Sequence, residues 1–378
     1  MAALGFGMVV LGSALWLVTL LLPWRPWRVT ETLDAGPNPA PMRLDDVTVL
    51  IPARNEAKHI AGTLAAVQSQ GKGVRCVVVD DQSEDDTGGQ VAARMVQFPE
   101  LNMLAGAAVP QGWTGKLWAL QQGLQVIQTP WVLLLDADIE LAPGILPAAL
   151  CKCRADSIGF LSLMAHLHMT SFWERLLLPS FVFFFKLLYP FSLSNAGHRW
   201  VAAAAGGFIL CRREDLQTID AFKSLRGEVI DDCALARRMR CAGVRTWVGL
   251  SHSLLSRRSA ARLAEIWHMV ARTAYIQLRH SVLLLVAASI LLAAAFFAPL
   301  AGMLSGDSTL VIAGGSGFLA MLTVYQPTLV YYGQGRYWAL LLPLIGALYL
   351  AMTWTSAVRY WRGVATHWKG RRYSRSSL

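Results

Sequence analysis

Residues 131–138 read Trp-Val-Leu-Leu-Leu-Asp-Ala-Asp. Five apolar residues in an unbroken run, closed by two acids, predict a strand covered on both faces whose tip carries charge. Two earlier stretches repeat the design: VTVLIP at 47–52, followed by Ala53-Arg54-Asn55-Glu56, and VRCVVVD at 74–80, followed by Asp81-Gln82-Ser83. Stretches of helical texture separate them. Strand and helix in alternation predict an α/β fold with a Rossmann-like, mostly parallel sheet, whose site lies at the carboxyl ends of the strands.

The tips therefore bring carboxylates together, and crowded carboxylates require a cation or a ligand rich in donors. Asp136-Ala137-Asp138 is a DxD arrangement. On an extended strand its two acids share a face, so that one holds a divalent ion while the other orients a ribose or phosphate oxygen. A hard ion, Mg²⁺ or Mn²⁺, suits such oxygens and bridges a diphosphate leaving group. Lys116 follows Gly115 at the predicted start of a helix, where a cation and free N–H groups cradle phosphate. No GxxxxGK[ST] loop occurs, which excludes a Walker A site. Further on, Ala205-Gly206-Gly207-Phe208 offers close backbone approach, and Asp231-Asp232 precedes the helical ALARRMR. That pair either caps the helix or supplies a general base for deprotonating an acceptor hydroxyl.

Composition places this chemistry beside a membrane. Of 378 residues, 54% are hydrophobic and 15% charged, against about 25% charged in ordinary soluble domains. The net charge of +10 falls largely beside apolar runs (Arg25, Arg28, Arg359, Arg362, Lys369, Arg371), which favours anionic headgroups over nucleic acid. Residues 3–22 predict a transmembrane anchor closed by the belt Pro23-Trp24-Arg25-Pro26-Trp27-Arg28. With those arginines inside, the following domain faces the cytoplasm. The expected division is an anchor over 1–28, a proline-bearing linker over 29–45, a catalytic domain over 46–260, an amphipathic interface helix over 261–281, and a C-terminal membrane region with a basic tail over 282–378. Ser171–Phe191, apolar and aromatic but with Glu174, Arg175 and Lys186, predicts a segment lying at the bilayer surface. Of the C-terminal apolar stretches (282–304, 308–332, 337–358), the middle one contains Gly314, Gly315, Gly317 and Pro327 and is a candidate re-entrant pair. Three C-terminal spans would place the basic tail outside, against the positive-inside rule. The six cysteines form no zinc-type spacing, Cys151-x-Cys153 being a weak metal candidate, and read as reduced thiols.

IPARNE, VVVDDQSEDDT, GWTGKLWA, DAD, AGGF and Asp231-Asp232, in that order, resemble family 2 glycosyltransferases of GT-A fold over about residues 47–249. A narrower likeness, carried by GWTGKLWALQQG, SFWERLLLPSFVFFFKLLYPF, IDDCALARRM and EIWHMVARTAYIQLRHS, is to bacterial hopene-associated glycosyltransferases, relatives of ceramide glucosyltransferase. The resemblance implies a nucleotide-diphosphate sugar donor (a UDP-sugar first), a lipid acceptor, and a multi-pass protein of the bacterial inner membrane. It implies that Asp81 contacts the base, with Pro52, Ala53 and Glu56 lining base and ribose. Asp136 would meet the donor sugar or ribose and Asp138 the metal. Asp232 would be the catalytic base, with Asp231 where many relatives have Glu.

One departure bears on function. Processive synthases and ceramide glucosyltransferases carry a QxxRW-like motif after the base, and Ile266–Thr273 lacks it. Arg272 or Arg279 is then the expected substitute at the diphosphate. The loss argues against the processive polysaccharide synthase reading. The intact acids argue against a catalytically silent nucleotide-binding scaffold.

Overall fold

Every residue of β1 (Val47–Ala53) and β4 (Trp131–Leu135) is buried, as is the centre of β2 (Arg75–Asp80). Such strands require cover on both faces. In the computed structural model, which describes residues 2–37, 42–226, 231–363, 366–368 and 371–373, the chain divides into two units. A sheet unit comprises Glu31–His168, Leu193–Ser259 and Ala365–Leu378, and a helical unit Met1–Thr30, Met169–Ser192 and Ala260–Val364.

The sheet adds β3 (Leu101–Ala105), β5 (Ile139–Leu141), β6 (Phe160–His166), β7 (Phe208–Arg212) and β8 (Thr246–Ser256), in the order β3-β2-β1-β4-β7-β6-β8-β5. Neighbours β1–β2, β1–β4, β2–β3 and β6–β8 are parallel, and β4–β7, β6–β7 and β5–β8 antiparallel. The sheet is thus mixed, with its parallel half formed by the three apolar runs and β3. From β1 the chain runs outward to β2 and β3, then returns to the other side of β1 as β4. That reversal is a topological switch point, where the carboxyl ends of β1 and β4 open a crevice.

Alternation along β1 divides its side chains between two cores. Val49 and Ile51 pack with Ile60, Leu64 and Val67 of α2 (Ile60–Gln68) and with Ile145, Leu146 and Leu150 of α5 (Ile145–Ala155). Leu50 packs with Leu117, Leu120 and Leu124 of α4 (Gly115–Val126) and with Leu235 and Met239 of α10 (Asp231–Cys241). A Cβ at Gly123 would collide with the Leu50 side chain, so glycine there lets α4 settle on β1. The remaining helices, α3 (Thr87–Met95), α8 (Arg213–Thr218) and α9 (Ala221–Ser224), are short, and α7 (Phe191–Asn195) lies across the boundary of the two units. Cys153 is buried and Cys151 exposed. Two residues apart on α5 they face different ways, which removes Cys151-x-Cys153 as a metal pair.

Part of the stretch expected as a linker is a strap on the sheet unit. Leu33 donates to the Leu250 carbonyl at 3.0 Å, and Leu250 to Glu31 at 2.9 Å. The Asp34 carboxylate accepts from the Ser251 hydroxyl and from the N–H groups of His252 and Ser253. Burial would raise the Asp34 pKa, but these donors hold it below the ordinary carboxylate value.

The helical unit contains α1 (Ala2–Leu21), α6 (Phe172–Leu188), α11 (Leu263–Gln277), α12 (Val282–Met303), α13 (Ser308–Tyr331), a 3₁₀ turn (Arg336–Leu341) and α14 (Leu342–Trp361). Among the described residues, four segments are long and apolar enough to cross a membrane: Leu4–Leu21, Val282–Met303, Ser308–Tyr331 and Arg336–Trp361. The glycine-rich middle stretch is one continuous helix, not a re-entrant pair. Its glycines serve packing: a Cβ at Gly317 would lie 2.5 Å from Ser13 of α1, and one at Gly314 would strike the Pro299 carbonyl of α12. Small residues at such seams let apolar helices approach closely.

Ser171–Phe191, expected at the bilayer surface, turns part of its aromatic face to protein, while Phe172 stays 54% exposed. Phe183 of α6 is buried, with its centroid 6.4 Å from Trp16 and 5.2 Å from Tyr325. Phe184 meets Tyr349 at 4.9 Å. Rings of this size fill a seam between helices more completely than they can on a lone helix. Two charged residues of α6 are also buried. Lys186 donates to the Arg28 carbonyl. Glu174, 0% exposed, accepts from Thr170 N, Ser171 N and Ala260 N at 3.1, 2.9 and 2.8 Å and completes a capping box with Ser171.

Candidate active site

The tips of β1 and β2 are joined by backbone-directed polar contacts. Arg54, buried, donates to the carbonyls of Asp81 and Gln82 and pairs with Glu84 at 2.7 Å. Asn55 (φ 52°) and Gln82 (φ 56°) both take the left-handed conformation. Asparagine tolerates it through local hydrogen bonds, here from Glu84 N–H to its Oδ1 at 2.8 Å. Gln82 in this region is strained, as backbone beside ligand sites often is. Asp81 is buried behind this turn, its N–H on the Ala53 carbonyl at 2.8 Å. Two residues past the paired Leu50 and Leu134 come Pro52 and Asp136, one on each side of the switch point.

Asp136-Ala137-Asp138 is a turn, not extended strand. The Ile139 N–H returns to the Asp136 carbonyl at 3.2 Å, and the buried Ala137 carbonyl accepts from Thr63 at 2.8 Å. The two acids therefore do not stand on the extended strand expected from the sequence. β4 ends at Leu135, and the turn directs each acid to a different cation. Asp136 pairs with Lys116 at 2.8 Å. Lys116 is the second residue of α4, whose first turn is capped by Thr114. Asp138, 8% exposed, pairs with Arg258 Nε at 2.8 Å, and the same guanidinium reaches Glu56 at 2.8 Å. Burial would lower the Arg258 pKa, but Asp138 and then Glu56 outweigh it and hold the value above the ordinary one. Glu56, Glu84, Asp136 and Asp138 are thus each met by a basic group of the protein itself, whereas Asp80 accepts from Ser83.

Asp232 stands in the first turn of α10. Its Oδ2 accepts from Gly206 N–H at 3.0 Å and its Oδ1 from Cys233 N–H at 2.8 Å. A Cβ at Gly206 would lie 3.4 Å from Lys116 Nζ and 3.5 Å from Asp232 Oδ2. Gly206 therefore marks the point where Lys116 and Asp232 approach one another. These groups share a cavity with Pro52, Leu117 and Asp136. The structure gathers Pro52, Lys116, Asp136, Gly206 and Asp232 about one cavity, and Glu56 and Asp138 about Arg258. Ala53 and Asp81 stand at the adjoining β1 and β2 tips. The Asp231 side chain, like residues 227–230, lies outside the described residues. Arg272 is exposed on α11, in the helical unit.

Sequence reading missed Arg258 and Arg54. Ser256-Arg257-Arg258 ends β8 just as the acids end β1, β2 and β4, so the rule applied to acids would have flagged these bases. A divalent ion fits Asp138 in one mode. Among the described residues no three His, Cys, Asp or Glu side chains form a metal cage. Mg²⁺-type sites, however, commonly combine one or two carboxylates with substrate phosphates, and the donor set at the DAD turn is all oxygen.

Residues 48–220 match the family model "Glycosyl transferase family 2". The chain is 32% identical over 103 residues to a 4,4'-diaponeurosporenoate glycosyltransferase of Staphylococcus haemolyticus (25% of this chain, 24% of that one). It is 28% identical over 122 residues to an undecaprenyl-phosphate 4-deoxy-4-formamido-L-arabinose transferase of Shewanella sediminis (31% and 36%). The chain thus spans only about a quarter to a third of the length of these relatives. The solved mannosyltransferase of Pyrobaculum calidifontis, in complex with GDP-Man and Mn²⁺, shares the fold at 18% identity and a TM-score of 0.55. The match covers 93% of this chain and 97% of that one. Residues 48–220 thus match glycosyl transferase family 2, and the chain shares its fold, a GT-A sheet, with the Pyrobaculum enzyme.

Proposed function

We propose that the protein moves a single sugar from a nucleotide-diphosphate sugar to a membrane lipid, with inversion at the transferred carbon. The observation that carries this reading is the convergence of Lys116, Asp136 and Asp232 around Gly206 at the β1–β4 switch point. The nucleotide lies over the tips of β1 and β2, along Pro52, Ala53, Glu56 and Asp81. Lys116 exchanges Asp136 for a phosphate oxygen of the donor, and Asp136 then turns to the sugar or ribose. Asp138 would hold Mg²⁺ or Mn²⁺, which would offset charge on the departing diphosphate. Asp232, kept in place by two N–H groups, takes the proton of the acceptor hydroxyl as its oxygen bonds the sugar carbon and the bond to the diphosphate breaks.

Support for a lipid acceptor is the set of four apolar helices, together with a relative whose name carries undecaprenyl phosphate. The resemblance to hopene-associated enzymes makes a polycyclic lipid the first acceptor to test. Arg25 and Arg28, beside the first apolar helix, favour a sheet unit on the cytoplasmic side of a bacterial inner membrane. A UDP-sugar is the first donor to test, and Arg272 stays a proposed diphosphate contact. The test sets Asp232→Asn beside Asp231→Asn in the full chain. Asp232→Asn should lower transfer by ~10²–10⁴-fold and keep nucleotide-diphosphate affinity, while Asp231→Asn keeps turnover. An active Asp232→Asn enzyme would overturn the assignment.

A further inference from the structure

The Arg258 guanidinium holds the ground that the proposed metal would take. It forks across Asp138 and Glu56, two side chains 120 and 202 residues away in sequence, at 2.8 Å each. Both carboxylates are buried, whereas the arginine side chain is 50% exposed. A buried acid needs hydrogen-bond donors or a cation, and here it has a cation that is half exposed to solvent. A divalent ion on Asp138 would stand close to the Arg258 guanidinium, and their repulsion, several kcal/mol at an effective dielectric of ~20, disfavours sharing the carboxylate. A nucleotide diphosphate brings negative charge and planar oxygen pairs, which a guanidinium grips in two-point fashion.

We infer that Arg258 is a positioning residue that couples cation entry to diphosphate entry, screening Asp138 from free metal and releasing it when the diphosphate offers the guanidinium a new partner. The inference rests on the nucleotide-sugar reading of the site. It deepens that reading by giving the order of events: ion and diphosphate arrive together, and neither binds tightly alone. Asp138 then changes from guanidinium to ion without being left buried and unpaired, a state that is strongly destabilising. By linkage, the factor by which diphosphate tightens metal binding equals the factor by which metal tightens diphosphate binding.

The experiment is Mn²⁺ titration of the full chain in detergent, by calorimetry and by the electron paramagnetic signal of free Mn²⁺, alone and with UDP or GDP. Wild type should take Mn²⁺ weakly alone and more tightly with the nucleotide. Arg258→Ala should bind Mn²⁺ alone at least ~10-fold more tightly and lose coupling by a similar factor. Its melting temperature should fall without metal and recover with Mn²⁺ in the absence of nucleotide. Arg258→Lys, a point charge that cannot fork across both acids, should show the same changes at smaller size, and it serves as the reading if the alanine variant does not fold. Unchanged or weaker Mn²⁺ binding in the folded variants, or a melting temperature that Mn²⁺ does not restore, overturns the inference and leaves the function standing. A wild type that binds neither UDP nor GDP with Mn²⁺ overturns the function and the inference together.

Discussion

Two buried carboxylates, one in each unit, are satisfied in opposite ways. Glu174 of the helical unit is met by three backbone N–H groups and the Thr170 hydroxyl. Those donors are fixed by the chain itself. Asp138 of the sheet unit is met by the guanidinium of a half-exposed arginine. Both arrangements offset the cost of burying charge, but only the second can be exchanged for a ligand. A buried acid held by backbone reads as architecture, and one held by a long, exposed cation reads as a site at rest. Asp136 with Lys116 repeats the second pattern, and Asp34 on its strap is close to the first.

The sharpest way to break this contrast is to remove one acid from each unit. Asp138→Asn should lower transfer by at least ~10²-fold, as loss of a strong electrostatic stabiliser does, while the melting temperature stays near that of wild type. Glu174→Ala should do the reverse. It strands helix N-terminal donors and should lower stability by about 1–3 kcal/mol, with transfer per folded molecule preserved. Melting curves and transfer rates measured on both variants decide the matter, and a Glu174→Ala enzyme that folds but does not turn over would end the distinction. The smallest effect belongs to Asp34. Its pKa is held below the ordinary carboxylate value, so its contribution is present above the unfolded pKa of about 3.9 and is lost as pH falls through the lower folded value. Between pH 6 and pH 3 the wild-type melting temperature should therefore fall more than that of Asp34→Asn. Parallel curves would show that the strap's carboxylate adds nothing.

Three apolar runs closed by acids were enough to read the parallel half of the sheet and the place of its crevice, because continuous burial and strand ends are local properties of the chain. The same local rule misjudged the DAD acids. It carried the strand through Asp138, whereas the chain turns after Leu135, held by Thr63 on the buried Ala137 carbonyl. It also read Ser171–Phe191 without the helices that pack on it, since aromatic content alone does not say which rings neighbouring helices cover. The strap at residues 31–35 has no hydrophobic period to reveal it. Its order comes from hydrogen bonds to residues 250–253, more than 200 positions away in the chain.

By itself, then, the sequence determined three of the sheet's strands, the apolar helices and which acids stand at those strand tips, because each follows from the periodicity and composition of neighbouring residues. Only the tertiary structure decided which charge answers which acid. Asp138 and Glu56 share Arg258 across 120 and 202 residues, and Asp232 reaches the Gly206 N–H across 26. Pairings of that span depend on how the chain crosses the sheet. Desolvation makes each of them obligatory once the fold has buried the acid, but no local pattern selects the partner.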